Sequence, residues 1–139
     1  MSGFFEWNQA KFGLGVDDMD REHQELIVLM NRLHELYAAK ASSTEQGKAL
    51  TALLNCTVRH FQDEEAYMQK INFPGFRVHQ GVHKQLLDRM NGFAQAFRTQ
   101  GKLGDDLFVF LRMWLSAHIC GIDMKYAVHA ADQKRVVHG

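Results

Sequence analysis

At 139 residues the chain has the usual length of one domain and can bury a real core, so a single globular unit is expected. Lysine plus arginine and aspartate plus glutamate number 16 each, so no long-range charge draws the chain toward nucleic acid or an anionic membrane. Residues Met1 to Ala10 hold no basic region followed by a long apolar run, and no segment approaches the ~20 apolar residues that span a bilayer. A soluble, cytoplasmic protein without membrane insertion is expected.

Residues 1 to about 19 carry Phe4, Phe5, Trp7, Phe12, Leu14 and Val16 and read as an aromatic arm laid on the rest. A first helix is expected over about 20–39, with Asp20 as N-cap and a stripe of Met19, His23, Leu26, Met30, Leu33 and Tyr37. A second, about 43–71, follows a capping box of Ser42 with Glu45 and carries Leu53, Cys56, His60, Glu64, Tyr67 and Ile71. A third, about 75–98, begins past Pro74 and carries Phe76, His79, His83, Leu86, Met90, Phe93 and Phe97. The fourth, about 105–126, has acids in its first turn and carries Leu107, Leu111, Trp114, His118 and Ile122. Each stripe repeats at three and four residues, which defines one buried face per helix. Short breaks at 40–44, 72–75 and 99–104 favour antiparallel neighbours, so the chain reads as all-α, an up-down-up-down antiparallel four-helix bundle with an N-terminal aromatic arm. A C-terminal tail beyond about 129, with His129 and His138, reads as frayed and without a metal role.

Eight histidines are unusual for this length, and their positions matter more than their number. His23, His60, Glu64, His79, His83 and His118 all fall inside core-facing stripes, where an ionisable group costs several kcal/mol unless it is paired or bound to a metal. In this topology the start of the first helix, the end of the second, the start of the third and the end of the fourth meet at one end. His23, His60 with Glu64, His79 with His83, and His118 with Asp123 all lie at that level. The pairs His60/Glu64 and His79/His83 are four apart, about one turn and ~6 Å of rise, so each pair aims at one small volume. Asp123 is five residues from His118, which on an ideal helix turns it about 140° away. A widened turn or a helix end near Gly121 is therefore expected.

Five imidazoles and two carboxylates exceed what one four-coordinate zinc takes. If both carboxylates bridge, these groups and one shared oxygen fill all but one position of two octahedra, and a vacancy on redox-capable first-row ions suits a small diatomic such as O2. Glu-x-x-His pairs of the ferritin-like di-iron class are absent, and so are His-Glu-x-x-His, P-loop and Gly-x-Ser-x-Gly motifs. Cys56 reads as a buried apolar thiol, and both it and Cys120 are expected to be reduced. His34 lies too far from His23 to ligate and reads as a polar core partner.

His23, then His60-Phe-x-x-Glu64-Glu-x-x-Met68, Pro74, His79-x-x-x-His83 and Trp114-Leu-x-x-His118-Ile-x-x-x-Asp123-x-x-Tyr126 together resemble the bacterial hemerythrin (bacteriohemerythrin) family. Trp7 and the run from Gly13 to His23 are similar to that family too, so the resemblance covers almost the whole chain. It implies two iron ions with a bridging oxo or hydroxo group. His79, His83 and His118 would hold one iron, His23 and His60 the other, and Glu64 and Asp123 would bridge them. It also implies an apolar wall around bound O2 formed by Leu26, Phe61, Trp114, Leu115 and Ile119. Phe73 departs from the tyrosine frequent in the family, and Cys120 sits between two of the implied ligands. The implied function is reversible O2 binding, for carriage, storage or delivery to an oxygen-consuming partner, rather than catalysis. Two other classes share the same residues: a di-iron enzyme acting on peroxide or nitric oxide, with weak peroxidase- or oxidase-type activity, and an iron or redox buffer.

Overall fold

A computed structural model of the chain describes residues 4–138. Its elements are α1 (Gln9–Phe12), α2 (Asp17–Ala38), α3 (Ser43–Lys70), α4 (Phe76–Gln100) and α5 (Asp105–Ala117), then a π-helical turn (His118–Asp123) leading into α6 (Met124–His138). Among the described residues there is no strand, and the four long helical rods form the expected antiparallel four-helix bundle. α5, the π turn and α6 make the fourth rod.

The helices exist because each buries its stripe. Leu26, Met30 and Leu33 of α2, Leu53 and Met68 of α3, Met90 of α4 and Leu111 and Leu115 of α5 meet in one buried cluster, and each such side chain stabilises the fold by about 1.5–3 kcal/mol. The breaks lie close to where turn chemistry predicts them. Lys40 and Asn72 close α2 and α3 with positive φ of 55° and 53°, and Gly101 ends α4 at φ 72°, a left-handed conformation that glycine adopts without a Cβ clash. Ser42 caps α3, its hydroxyl accepting from Glu45 N at 3.2 Å. Ser42→Ala is expected to lower unfolding stability by about 1 kcal/mol, measured by urea denaturation; an unchanged midpoint would remove the cap from the account.

Several boundaries differ from the expectation. α2 begins at Asp17, not near Asp20, and Val16 precedes it without a side-chain cap. Asp20 is instead buried within the first turn, where its Oδ1 accepts from Leu14 N at 2.9 Å. α4 starts at Phe76 and reaches Gln100. The fourth rod does not fray after Tyr126 but continues to His138, because α6 finds partners: the His129 ring and Gln133 Nε2 both donate to Ile71 O, at 3.0 and 2.7 Å. The side chain of His138 lies outside the described residues. The rod Asp105–Lys134 is also long and apolar enough to cross a membrane by length and composition, contrary to the sequence reading, with half of its most apolar window buried inside the bundle. Burial against the other helices accounts for that hydropathy.

The described part of the arm is held against the bundle. The Asn31 side chain holds the Phe5 backbone on both sides, accepting from its N–H at 2.7 Å and donating to its carbonyl at 2.9 Å. Arg112 donates to Phe4 O at 2.9 Å and lies over the Phe4 ring. Phe5, Phe12 and Leu14 are buried.

Candidate metal centre

The seven polar residues expected to converge do so. α2 brings His23, α3 brings His60 and Glu64, α4 brings His79 and His83, and the π turn brings His118 and Asp123, all buried. The ring nitrogens and carboxylate oxygens fall into two sets that could each hold a cation. One is Glu64, His79, His83, His118 and Asp123; the other is His23, His60 and Glu64.

Glu64 belongs to both sets because its two oxygens face opposite ways. Oε1 lies 2.8 Å from His83 Nε2 and 3.1 Å from His79 Nε2. Oε2 lies 3.4 Å from His60 Nε2 and 3.5 Å from His23 Nε2. Asp123 divides in the same way, with Oδ1 3.0 Å from both His79 and His118 Nε2 and Oδ2 3.1 Å from His23 Nε2. The π turn makes this possible. With i→i+5 pairing the widened turn carries Asp123 round to the face of His118, which the ordinary turn would miss.

The donor set fits a cation on one further observation. His23 Nε2, His60 Nε2 and both Asp123 oxygens are buried and, although they approach one another or their neighbours to 3.0–3.4 Å, none makes a hydrogen bond of acceptable geometry; such orphaned groups are rare in folded proteins unless an ion or water completes them. Imidazole nitrogens mixed with carboxylate oxygens suit first-row transition metals.

Outside this shell lie residues the stripes did not reveal. Glu22 Oε1 sits 2.7 Å from His60 Nδ1, and Glu65 Oε2 sits 2.9 Å from His83 Nδ1. These carboxylates fix the ring orientation. Both occupy positions adjacent in sequence to a stripe residue, at the edge of the helix face, so helical spacing gave no signal for them. Tyr126, whose place in the motif was noted without a role, is fully buried and donates its hydroxyl to Glu64 Oε2 at 2.7 Å.

Leu26, Phe61, Trp114, Leu115 and Ile119 are all buried in the same core. Phe61 stacks on His83 with ring centroids 3.8 Å apart, and Trp114 lies 5.6 Å from Phe61 and 5.9 Å from His118. His34 stays out of the cluster, stacked on Phe4 and edge-on to Phe108. Cys56 is buried as expected, and burial pushes its thiol up. Cys120 is exposed on the π turn, with its thiol directed at Lys11 O, 3.6 Å away.

Electrostatics follow from this geometry. Burial pulls the His60 imidazole down, but the Glu64 and Glu22 carboxylates outweigh it and raise the group to about 10. His118 is buried too, and Asp123 and Glu64 lift it to about 9; His23 and His79 are raised against burial by the same two acids. Burial works against both carboxylates, yet the surrounding imidazoles hold Glu64 and Asp123 below the usual carboxylate range.

A pH prediction follows for the metal-free protein. Imidazoles raised in the folded state stabilise it fully below the unfolded value of about 6.5, and that contribution is lost as pH rises through the folded values. The depressed carboxylates act oppositely, stabilising above about 4 and failing as pH falls. The urea midpoint of chelator-treated protein is therefore expected to decline between pH 6.5 and pH 10, as protons leave His118 and then His60. A midpoint that rises over that interval contradicts the reading.

The pattern of the hemerythrin HHE cation binding domain matches residues 14–130. The chain is 33% identical to a bacteriohemerythrin of Methylococcus capsulatus over 121 residues, covering 86% of this chain and 92% of that one. It is 32% identical to a myohemerythrin of Riftia pachyptila over 122 residues, covering 88% and 90%. A solved wild-type hemerythrin superposes with a TM-score of 0.83 at 31% identity, over 88% of this chain and 95% of that one. A hemerythrin carrying a leucine-to-alanine substitution superposes with a TM-score of 0.86 at 29% identity, over 92% and 98%. Sequence pattern, full-length relatives and superposed bundle agree, and the chain belongs to the hemerythrin family.

Proposed function

We propose that the cluster holds two iron ions and that their one open position binds O2 reversibly, for carriage, storage or delivery to an oxygen-consuming partner. The observation that carries this reading is the division of Glu64, one oxygen toward His79 and His83 and the other toward His23 and His60. A carboxylate so placed serves two metals at once, with Asp123 as the second bridge and a bridging oxo or hydroxo group completing the pair. His79, His83 and His118 hold one ion, and His23 and His60 hold the other.

Iron supplies the electrons that a neutral diatomic needs to bind. The chain supplies the rest. Five neutral imidazoles bring less negative charge than a carboxylate-rich shell, which favours binding over oxygen activation. Phe61, Trp114, Leu26, Leu115 and Ile119 form a dry apolar wall that admits a small apolar gas and keeps out the water that would promote its loss in reduced form. The main role is accordingly that of an oxygen-binding protein in the cytoplasm, with any peroxidase-type turnover secondary to it.

The test is anaerobic reduction and metal counting, then repeated oxygenation and deoxygenation with an optical readout. Two irons per chain and an absorption band that returns on each cycle are expected. One zinc per chain, or a band that appears once and never reverses, overturns the reading.

A further inference from the structure

Reversible O2 binding uses neither of two tyrosines that the fold places in line with the centre. Tyr126 is fully buried and hydrogen-bonded to Glu64 Oε2, the oxygen that faces His23 and His60. Its ring meets Tyr67 of α3 edge-on, with centroids 5.6 Å apart, and lies 5.7 Å from the His79 ring. Tyr67 is only half-buried and so reaches the protein surface. Two oxidisable rings thus run from the polar cluster outward in van der Waals range of each other.

The other oxidisable ring near the centre is Trp114, 5.9 Å from His118. Its Nε1 is buried and has no hydrogen-bond partner, so an indole losing an electron there has nowhere to place its proton. Tyr126 has an acceptor 2.7 Å away. That difference singles out the tyrosine route.

Resting on the iron-pair reading above, we propose that Tyr126 and Tyr67 are a one-electron exit through which hydrogen peroxide, reduced at the centre, oxidises a small phenol or aromatic amine at the Tyr67 surface. Tyr126 gives up one electron while its phenolic proton moves along the hydrogen bond to Glu64 Oε2. Tyr67 re-reduces Tyr126, which regains that proton from Glu64, while the phenolic proton of Tyr67 passes to solvent at the surface; an external phenol then restores Tyr67 by giving it an electron and a proton, and the protons released to solvent are those that peroxide takes up. Over one cycle two phenols each lose one electron and one proton and leave as phenoxyl radicals. Peroxide gains those two electrons and two protons, its O–O bond breaks, and two waters leave. The protein returns to its starting state.

The test adds hydrogen peroxide to the iron-loaded protein, freezes it for electron paramagnetic resonance, counts iron in the same samples, and follows oxidation of a simple phenol. The wild-type chain is expected to show a tyrosyl radical and to oxidise the phenol. Tyr126→Phe is expected to lose both. Tyr67→Phe is expected to keep two irons and reversible O2 binding and to retain the Tyr126 radical, while phenol oxidation is lost. A protein that holds two irons yet forms no tyrosyl radical overturns the exit, as does a radical that survives Tyr126→Phe. If Tyr126→Phe loses iron, Tyr67→Phe decides alone, and undiminished phenol oxidation by it overturns the proposal. A wild-type chain that takes up no iron pair fails at the earlier step and overturns the iron reading itself, a result the metal count separates from the others.

Discussion

The Glu64→Ala chain is expected to bind about one iron or none while keeping its helical content. Among the described residues no other side chain stands between both histidine sets with an oxygen 2.8–3.5 Å from four of the ring nitrogens. Without it the His23/His60 set keeps only the Asp123 oxygen 3.1 Å from His23, too few donors to hold an ion firmly. The fold has independent support, because Leu33, Leu53, Leu107 and Leu111 are fully or almost fully buried and the cluster contributes no aliphatic packing. Metal analysis with far-ultraviolet circular dichroism reads both outcomes. Retention of both irons contradicts the bridging role of Glu64.

Inserting one alanine after Gly121 is expected to cost several kcal/mol of stability as well as the metal, because a second extra residue exceeds what the widened turn absorbs and rotates everything beyond it by about 100°. Tyr126 then leaves Glu64, and His129 and Gln133 leave Ile71 O, so three hydrogen bonds are lost together. Replacing the same residue is a different matter. A Cβ added at Gly121 meets no atom within 4 Å, so Gly121→Ala is expected to keep the metal and to gain up to about 1 kcal/mol from reduced chain entropy. Thermal unfolding and iron content of the two variants distinguish register from residue type. Equal behaviour of insertion and substitution would show that the turn's length is not what places Asp123.

Those contrasts show what was legible in the sequence. The pairs His60/Glu64 and His79/His83 could be read as convergent because four-residue spacing fixes direction on a helix. Asp123 could be read as needing an irregular turn because five-residue spacing fails by an amount too large for side-chain flexibility, and the π turn supplies the remedy. Asp20 could not be read correctly. An aspartate ahead of an apolar stripe signals a cap by composition, yet its oxygen serves the Leu14 N–H from inside the helix, a contact set by how the arm folds back. Glu22 and Glu65 were invisible for a related reason: each reaches a histidine on another helix from just beside its own buried face. The extent of α6 was likewise hidden, since part of what holds it is a contact with the end of another helix, where Ile71 O receives His129 and Gln133.

That last contact bears on the order in which the protein folds. It joins residues 58 and 62 positions apart in the chain, and Phe73 at the same corner touches the rings of Tyr126 and His129. Contacts of such separation carry more closure entropy than the turns within a helix and form after them. During synthesis α3 and α4 can pair before α6 exists, with His60, Glu64, His79 and His83 already side by side, but their shared corner stays unlatched until the final rod arrives. The end of the bundle that gathers the histidines is therefore the last to close.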